Sequence, residues 1–121
     1  TLEWNRGHYL VEGAGHCAEC HSPRNMFGAI IADKRLSGGP NPEGKGRAPN
    51  LTPDKTGLAT WSENDIVTLL KDGFTPDYDS VGGSMAEVLR NTSALKEEDR
   101  QAMALYLKSL APIEGEARAQ K

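Results

Sequence analysis

The sequence predicts an all-α domain of three to five helices joined by long loops. Three observations predict it. Three stretches carry helical spacing of apolar residues with recognisable start or stop signals, no strand alternation runs beyond a few residues, and no internal repeat occurs. The 121 residues include 13 Gly and 7 Pro, with 37% hydrophobic and 6% aromatic, a balance that favours loops over extensive secondary structure. That length suits one domain, expected to span residues 1–121 with a polar tail from about 113.

The first helix is expected over about 3–15, where Trp4, Gly7, Tyr9, Leu10 and Val11 suit a short amphipathic face and Gly13 and Gly15 mark its end. Residues 36–49 (LSGGPNPEGKGRAP) are dense in Gly and Pro and are expected to form an irregular loop wrapped over something. A second helix is predicted at about 62–72. Ser62 stands as N-cap with an acid three residues on, Ile66, Val67, Leu69 and Leu70 follow, and Gly73 stops it. Residues 74–84 (FTPDYDSVGGS) are turn-rich, with Met85 emerging from the loop after Gly82-Gly83. The last helix is expected at about 96–110: Glu97, Glu98 and Asp99 place negative charge on its first turn, Ala102, Met103, Tyr106 and Leu110 form a stripe, and Pro112 closes it.

A formal charge of -3 and the absence of any Lys/Arg-rich block point away from nucleic acid and from a polybasic membrane patch. No apolar run approaches the roughly 20 residues that a membrane-spanning helix needs. The chain opens at Thr1-Leu2-Glu3-Trp4 without a leader and reads as a processed protein or an excised domain.

The chemistry is concentrated at Cys17-Ala18-Glu19-Cys20-His21. C-x-x-C-H is the attachment pattern of c-type haem. Two thiols three residues apart on a helical turn share a face and can add to two vinyl groups, while the next residue aims its imidazole at the iron. A zinc site would need further Cys or a suitably spaced His pair, yet there is no other Cys, and His8 and His16 both lie upstream. A thioredoxin-like pair would need strand-helix alternation around it, which is missing.

Nearly the whole chain resembles the class I c-type cytochromes, above all the haem domains of bacterial membrane-associated dehydrogenase cytochrome subunits. The matching text is RGHYLVEGAGHCAECHSPRN at 6–25, APNLTPD at 48–54, TGLATWSENDI at 56–66, GGSM at 82–85 and ALYLKSL at 104–110. The resemblance implies one covalent haem c and electron transfer from a periplasmic dehydrogenase toward a respiratory acceptor, a cytochrome or an oxidase.

A sixth iron ligand must come from Met26, Met85, Met103, His8 or His16. Met26 follows His21 too closely to cross the haem plane, Met103 lies on a helix stripe, and both spare histidines precede the attachment turn. Met85 is left, and it matches the family's ligand position. His21 should turn its far nitrogen to the iron, and the resemblance implies a proline carbonyl that accepts from its near N–H. The matching segment puts that role on Pro49, with Pro23 as the alternative, and packs Leu51 on the haem. Trp61 either bonds a propionate through its indole N–H or simply packs, and Arg47 either pairs a propionate or is solvated. Gly7 and Tyr106 look like the family's crossing of first and last helices.

An electron carrier is the leading function. The alternative is a haem enzyme or gas sensor with an open sixth position, which a coordinated Met85 thioether would close, and a thiol or metal-binding module is a third class.

Overall fold

The computed structural model describes residues 1–40 and 46–115. Helix α1 spans Leu2–His8 and continues directly into a π-helical segment, Tyr9–Ala14. A 3₁₀ turn at Cys17–Glu19 follows, and another at Ala32–Lys34. Strands β1 (Gly39–Pro40) and β2 (Arg47–Ala48) pair antiparallel, with Gly39 opposite Ala48. Three helices complete the chain: α2 (Glu63–Asp72), α3 (Ser84–Thr92) and α4 (Glu97–Ser109).

Most of this follows from local chemistry. The Thr1 hydroxyl caps α1 by accepting from the Trp4 N–H. At α2, Ser62 and Asp65 form a reciprocal capping box, and Gly73 ends the helix at φ 81°. α1 packs chiefly on α4, where a Cβ at Gly7 would overlap the Ala102 carbonyl and sit 2.8 Å from the Tyr106 Cβ. The missing side chain is what lets the two helices touch. Trp4 lies over His8 and Tyr106 at this crossing and donates its indole N–H to Ser109 Oγ at 2.7 Å. The core runs from Leu10 and Val11 through Leu58, Trp61, Ile66 and Leu70 to Met103, Ala104, Tyr106 and Leu107.

Four expectations need correction. The first helix is α-helical only to His8 before widening into a π segment, and its face is narrower than the sequence suggests: Gly7, Leu10 and Val11 are buried, while Tyr9 is exposed. Met85 is not on a loop but in the first turn of α3. That helix is nine residues long and starts from Gly83 without a side-chain cap, so no capping residue announces it, although Met85, Val88, Leu89 and Thr92 carry helical spacing. The loop over 36–49 contains the short ladder β1–β2, and its residues 41–45 lie outside the described ones. The polar tail does not begin at 113. The Ile113 carbonyl accepts from Asn50 Nδ2 at 2.7 Å, its N–H donates to Thr52 Oγ1, and the Gly115 N–H donates to Thr56 Oγ1. Residues 116–121 lie outside the described chain.

Candidate functional site

The π segment delivers the chain to the cysteines along a specific path. The Gly15 N–H reaches the Leu10 carbonyl at 2.7 Å, and a Cβ at Gly15 would stand 2.6 Å from that oxygen. His16 then takes a left-handed conformation, φ 34°, uncommon for a residue with a side chain. This reverses the chain into the 3₁₀ turn at Cys17–Glu19. In 3₁₀ geometry residues i and i+3 eclipse, so Cys17 and Cys20 share one side, both as free thiols. Burial pushes the Cys17 thiol up to about 11.

His21 is buried, and its Nδ1 lies 2.8 Å from the Pro49 carbonyl oxygen. A carbonyl only accepts, so Nδ1 carries the proton and Nε2 keeps its lone pair. Burial lowers the pKa of the ring, the Pro49 carbonyl partly opposing it, which favours the neutral, ligating form at neutral pH. The Pro23 carbonyl, the alternative acceptor, receives the Ile31 N–H at 3.0 Å instead.

Pro49 is held in place by the glycine-rich loop. The Gly38 N–H donates to the His21 carbonyl at 2.7 Å and the Leu51 N–H to the Leu36 carbonyl at 2.8 Å. Gly38 sits at φ 94°, and a Cβ there would press 2.9 Å from the Asn50 nitrogen, so only glycine fits between the two segments. Asn50, next in chain, is buried and fully bonded. Its Nδ2 donates to Thr56 Oγ1 and to the Ile113 carbonyl, and its Oδ1 accepts from the Thr52 N–H and hydroxyl.

These parts surround one cavity of about 890 Å³, near the upper end of the range for small-molecule and cofactor sites, about 300–1,000 Å³. Cys17, Cys20, His21, Pro49, Leu51, Trp61 and Met85 all line it, as do Leu10, Leu58, Ile66, Leu69, Leu70 and Val88. So all seven residues singled out in the sequence meet at one place. Arg47 lines it from β2 and His16 from the attachment turn. Met103 also reaches the wall, although it is buried in the core, whereas Met85 is half-buried and Met26 is exposed and away from the cavity. Trp61 is buried at the wall.

Two features of the site escaped the sequence reading. Asn50 carries an Asx-turn signal, an Asn two residues before Thr52 in a turn-rich stretch. Glu12 has no local signal at all. Its carboxylate accepts from the Tyr106 hydroxyl at 2.6 Å and from Arg35 Nε at 2.8 Å, tying the π segment to α4 and to the 3₁₀ turn at 32–34. Burial pushes the carboxyl up, but the Tyr106 and Arg35 bonds outweigh it and hold it below its ordinary value.

An eclipsed thiol pair, a neutral imidazole with a free Nε2 and an adjoining, mostly apolar cavity together define a c-type cytochrome centre. The Cytochrome c family matches residues 5–111, and the chain belongs to that family. The chain is similar to a diheme cytochrome c-type protein of Cereibacter sphaeroides, 58% identical over 112 residues, which cover 93% of this chain and 37% of the relative. It is also similar to the cytochrome c subunit of alcohol dehydrogenase (quinone) of Gluconobacter oxydans, 42% identical over 89% of this chain and 24% of the relative. The fructose dehydrogenase cytochrome subunit of Gluconobacter japonicus is 38% identical over 89% of this chain and 22% of its own length. The chain thus spans about a third or less of these relatives. Family membership implies covalently bound haem c and a part in electron transfer, and the residues around the cavity fit that group: two thiols for thioether bonds, a nitrogen ligand, and apolar walls.

Proposed function

We propose that the chain is a one-electron carrier, a single domain over residues 1–121 holding one haem c through Cys17 and Cys20, with His21 and Met85 as axial ligands. The observation that carries this reading is the attachment turn, where two eclipsed thiols are followed by a buried imidazole whose Nδ1 is tied to Pro49 at 2.8 Å. Bound haem supplies exchange between ferric and ferrous states, and Met/His ligation raises the potential at which that exchange occurs.

Each residue has a separate task. Cys17 and Cys20 tether the group covalently, so retention does not depend on affinity. His21 offers Nε2, and Pro49 fixes its tautomer and ring plane, as second-shell acceptors do at metal sites. Leu51 and Trp61 exclude water from the faces they line. Met85, in the first turn of α3 and half-buried, supplies a thioether that leaves no open position for substrate or gas.

The donor is read as a periplasmic dehydrogenase and the acceptor as a respiratory cytochrome or oxidase. Relatives bearing the names of dehydrogenase cytochrome subunits support that class. No described helix is long and apolar enough to cross a membrane.

The test is a visible spectrum of the protein in both oxidation states, repeated for Met85→Ala and Met103→Ala. Met85→Ala is expected to abolish the weak thioether-to-ferric-iron band at the red end of the spectrum, to lower the reduction potential and to admit carbon monoxide. Met103→Ala keeps the band and loses stability, about 2–5 kcal/mol for a buried Met. If Met85→Ala keeps the band and the potential while Met103→Ala loses both, the ligand assignment fails. A sixth position open in the unmodified protein would favour the enzyme or gas-sensor alternative.

A further inference from the structure

Helix α3 lines the cavity with Ser84, Met85, Val88, Asn91 and Thr92. Its N-cap is Gly83, so no side chain caps that end. The placement of that cavity face depends on tethers at the helix ends, because the last carbonyls of a helix have no intrahelical partner.

Those tethers converge on one side chain. Arg100, in the first half of α4, is 5% exposed. Its Nη1 donates to the carbonyls of Thr92 at 3.0 Å, Ser93 at 3.1 Å and Leu95 at 2.6 Å, closing the C-terminus of α3 and the turn beyond it. A cation there also meets the negative end of the helix dipole. Thr92 adds a second tie, its hydroxyl donating to the Leu70 carbonyl of α2 at 2.6 Å. The nearest acid does not explain the burial. Glu97 Oε1 lies 3.8 Å from Arg100 Nε, and neither atom has a hydrogen-bond partner among the described residues. A guanidinium buried with so little direct ion pairing is costly, and what it gains is the three carbonyls.

We propose that Arg100 is a positioning residue for the sixth ligand: it pins the C-terminal end of α3 and so keeps Met85, in the first turn of that helix, at the cavity. The proposal rests on the reading of Met85 as ligand. Removing the pin raises the fraction of molecules in which the thioether has left its place, without altering the His21 side, whose support runs through Pro49, Gly38 and Asn50.

The test uses the haem-loaded protein and titrates the ferric form with cyanide, which competes with a thioether, while the red-end band is recorded. Arg100→Met keeps the length of the side chain and removes every donor. Its apparent cyanide affinity should rise about tenfold for each tenfold gain in the ligand-off fraction, with the band weakened, and Arg100→Lys should fall between it and the parent. Tyr106→Phe, which loses the bond to Glu12 far from α3, is the control for general destabilisation and should keep parental band and affinity. Should Arg100→Met not accumulate in loaded form, Arg100→Lys and Thr92→Val carry the same criterion, each expected to weaken the band and raise cyanide affinity. Parental values in the Arg100 variants, with the band still lost in Met85→Ala, overturn the role of Arg100 alone. An equal shift in Tyr106→Phe also overturns it. A band that survives Met85→Ala overturns the ligand reading and this proposal together.

Discussion

Two residues tie together the segments on either side of the attachment turn through side-chain hydrogen bonds. Asn50 uses both amide hydrogens and accepts two bonds, and it is joined by a peptide bond to the carbonyl that orients the imidazole. Asn50→Ala would strand buried partners in Thr52 and Ile113 and should cost about 1–3 kcal/mol, read as a lowered thermal midpoint of the haem-loaded protein. Glu12 is the other. Its folded pKa is depressed by Tyr106 and Arg35 against the upward push of burial, so its ionised form stabilises the fold above its ordinary value of 4.5. That contribution is lost as pH falls through the lower, folded value. Denaturant unfolding of the parent and of Glu12→Gln should therefore differ by about 1–3 kcal/mol near neutral pH, with the gap closing below about pH 4.5. A gap that widens on acidification would contradict the ionised assignment.

At the scale of elements, the contact of α1 with α4 is the joint most sensitive to one atom. Gly7→Val adds branches where even a Cβ overlaps the Ala102 carbonyl. The helices must part, at an expected loss of about 1–3 kcal/mol or more, measurable by denaturant unfolding. This joint was legible in the sequence through the family's Gly7 and Tyr106, as was α2, whose capping box and terminal glycine are local signals. The attachment turn was legible because its chemistry lies in five consecutive residues. What stayed hidden depends on partners far apart in sequence. α3 lacks a capping side chain and is held from outside by Arg100 and Leu70, so the Gly82-Gly83 pair read as a continuing loop. The ladder β1–β2 is two residues per strand, too short for any alternation to show, and the tail up to Gly115 is fixed by Asn50, Thr52 and Thr56, some sixty positions upstream.

At the scale of the whole molecule, the apolar supply is thin and part of it is spent outside. Only 37% of residues are hydrophobic, and Met26, Phe27 and Tyr78 are about nine-tenths exposed. Many residues of the core cluster also line the cavity, among them Leu10, Leu58, Trp61, Ile66, Leu70, Met103 and Leu107. A chain of this size has little margin when its centre is not filled, and the bound group completes the core as much as it carries the electron. Replacing both Cys17 and Cys20 by Ala should leave a protease-sensitive chain with weak helicity, and a cooperative thermal transition in that variant would refute the point. The central claim, a single haem fixed by thioether bonds at Cys17 and Cys20, is tested most directly by intact mass after denaturation of protein matured in a periplasm. The account predicts the polypeptide plus one haem, surviving acid and organic solvent. The mass of the bare polypeptide, or release of haem on denaturation, would contradict it.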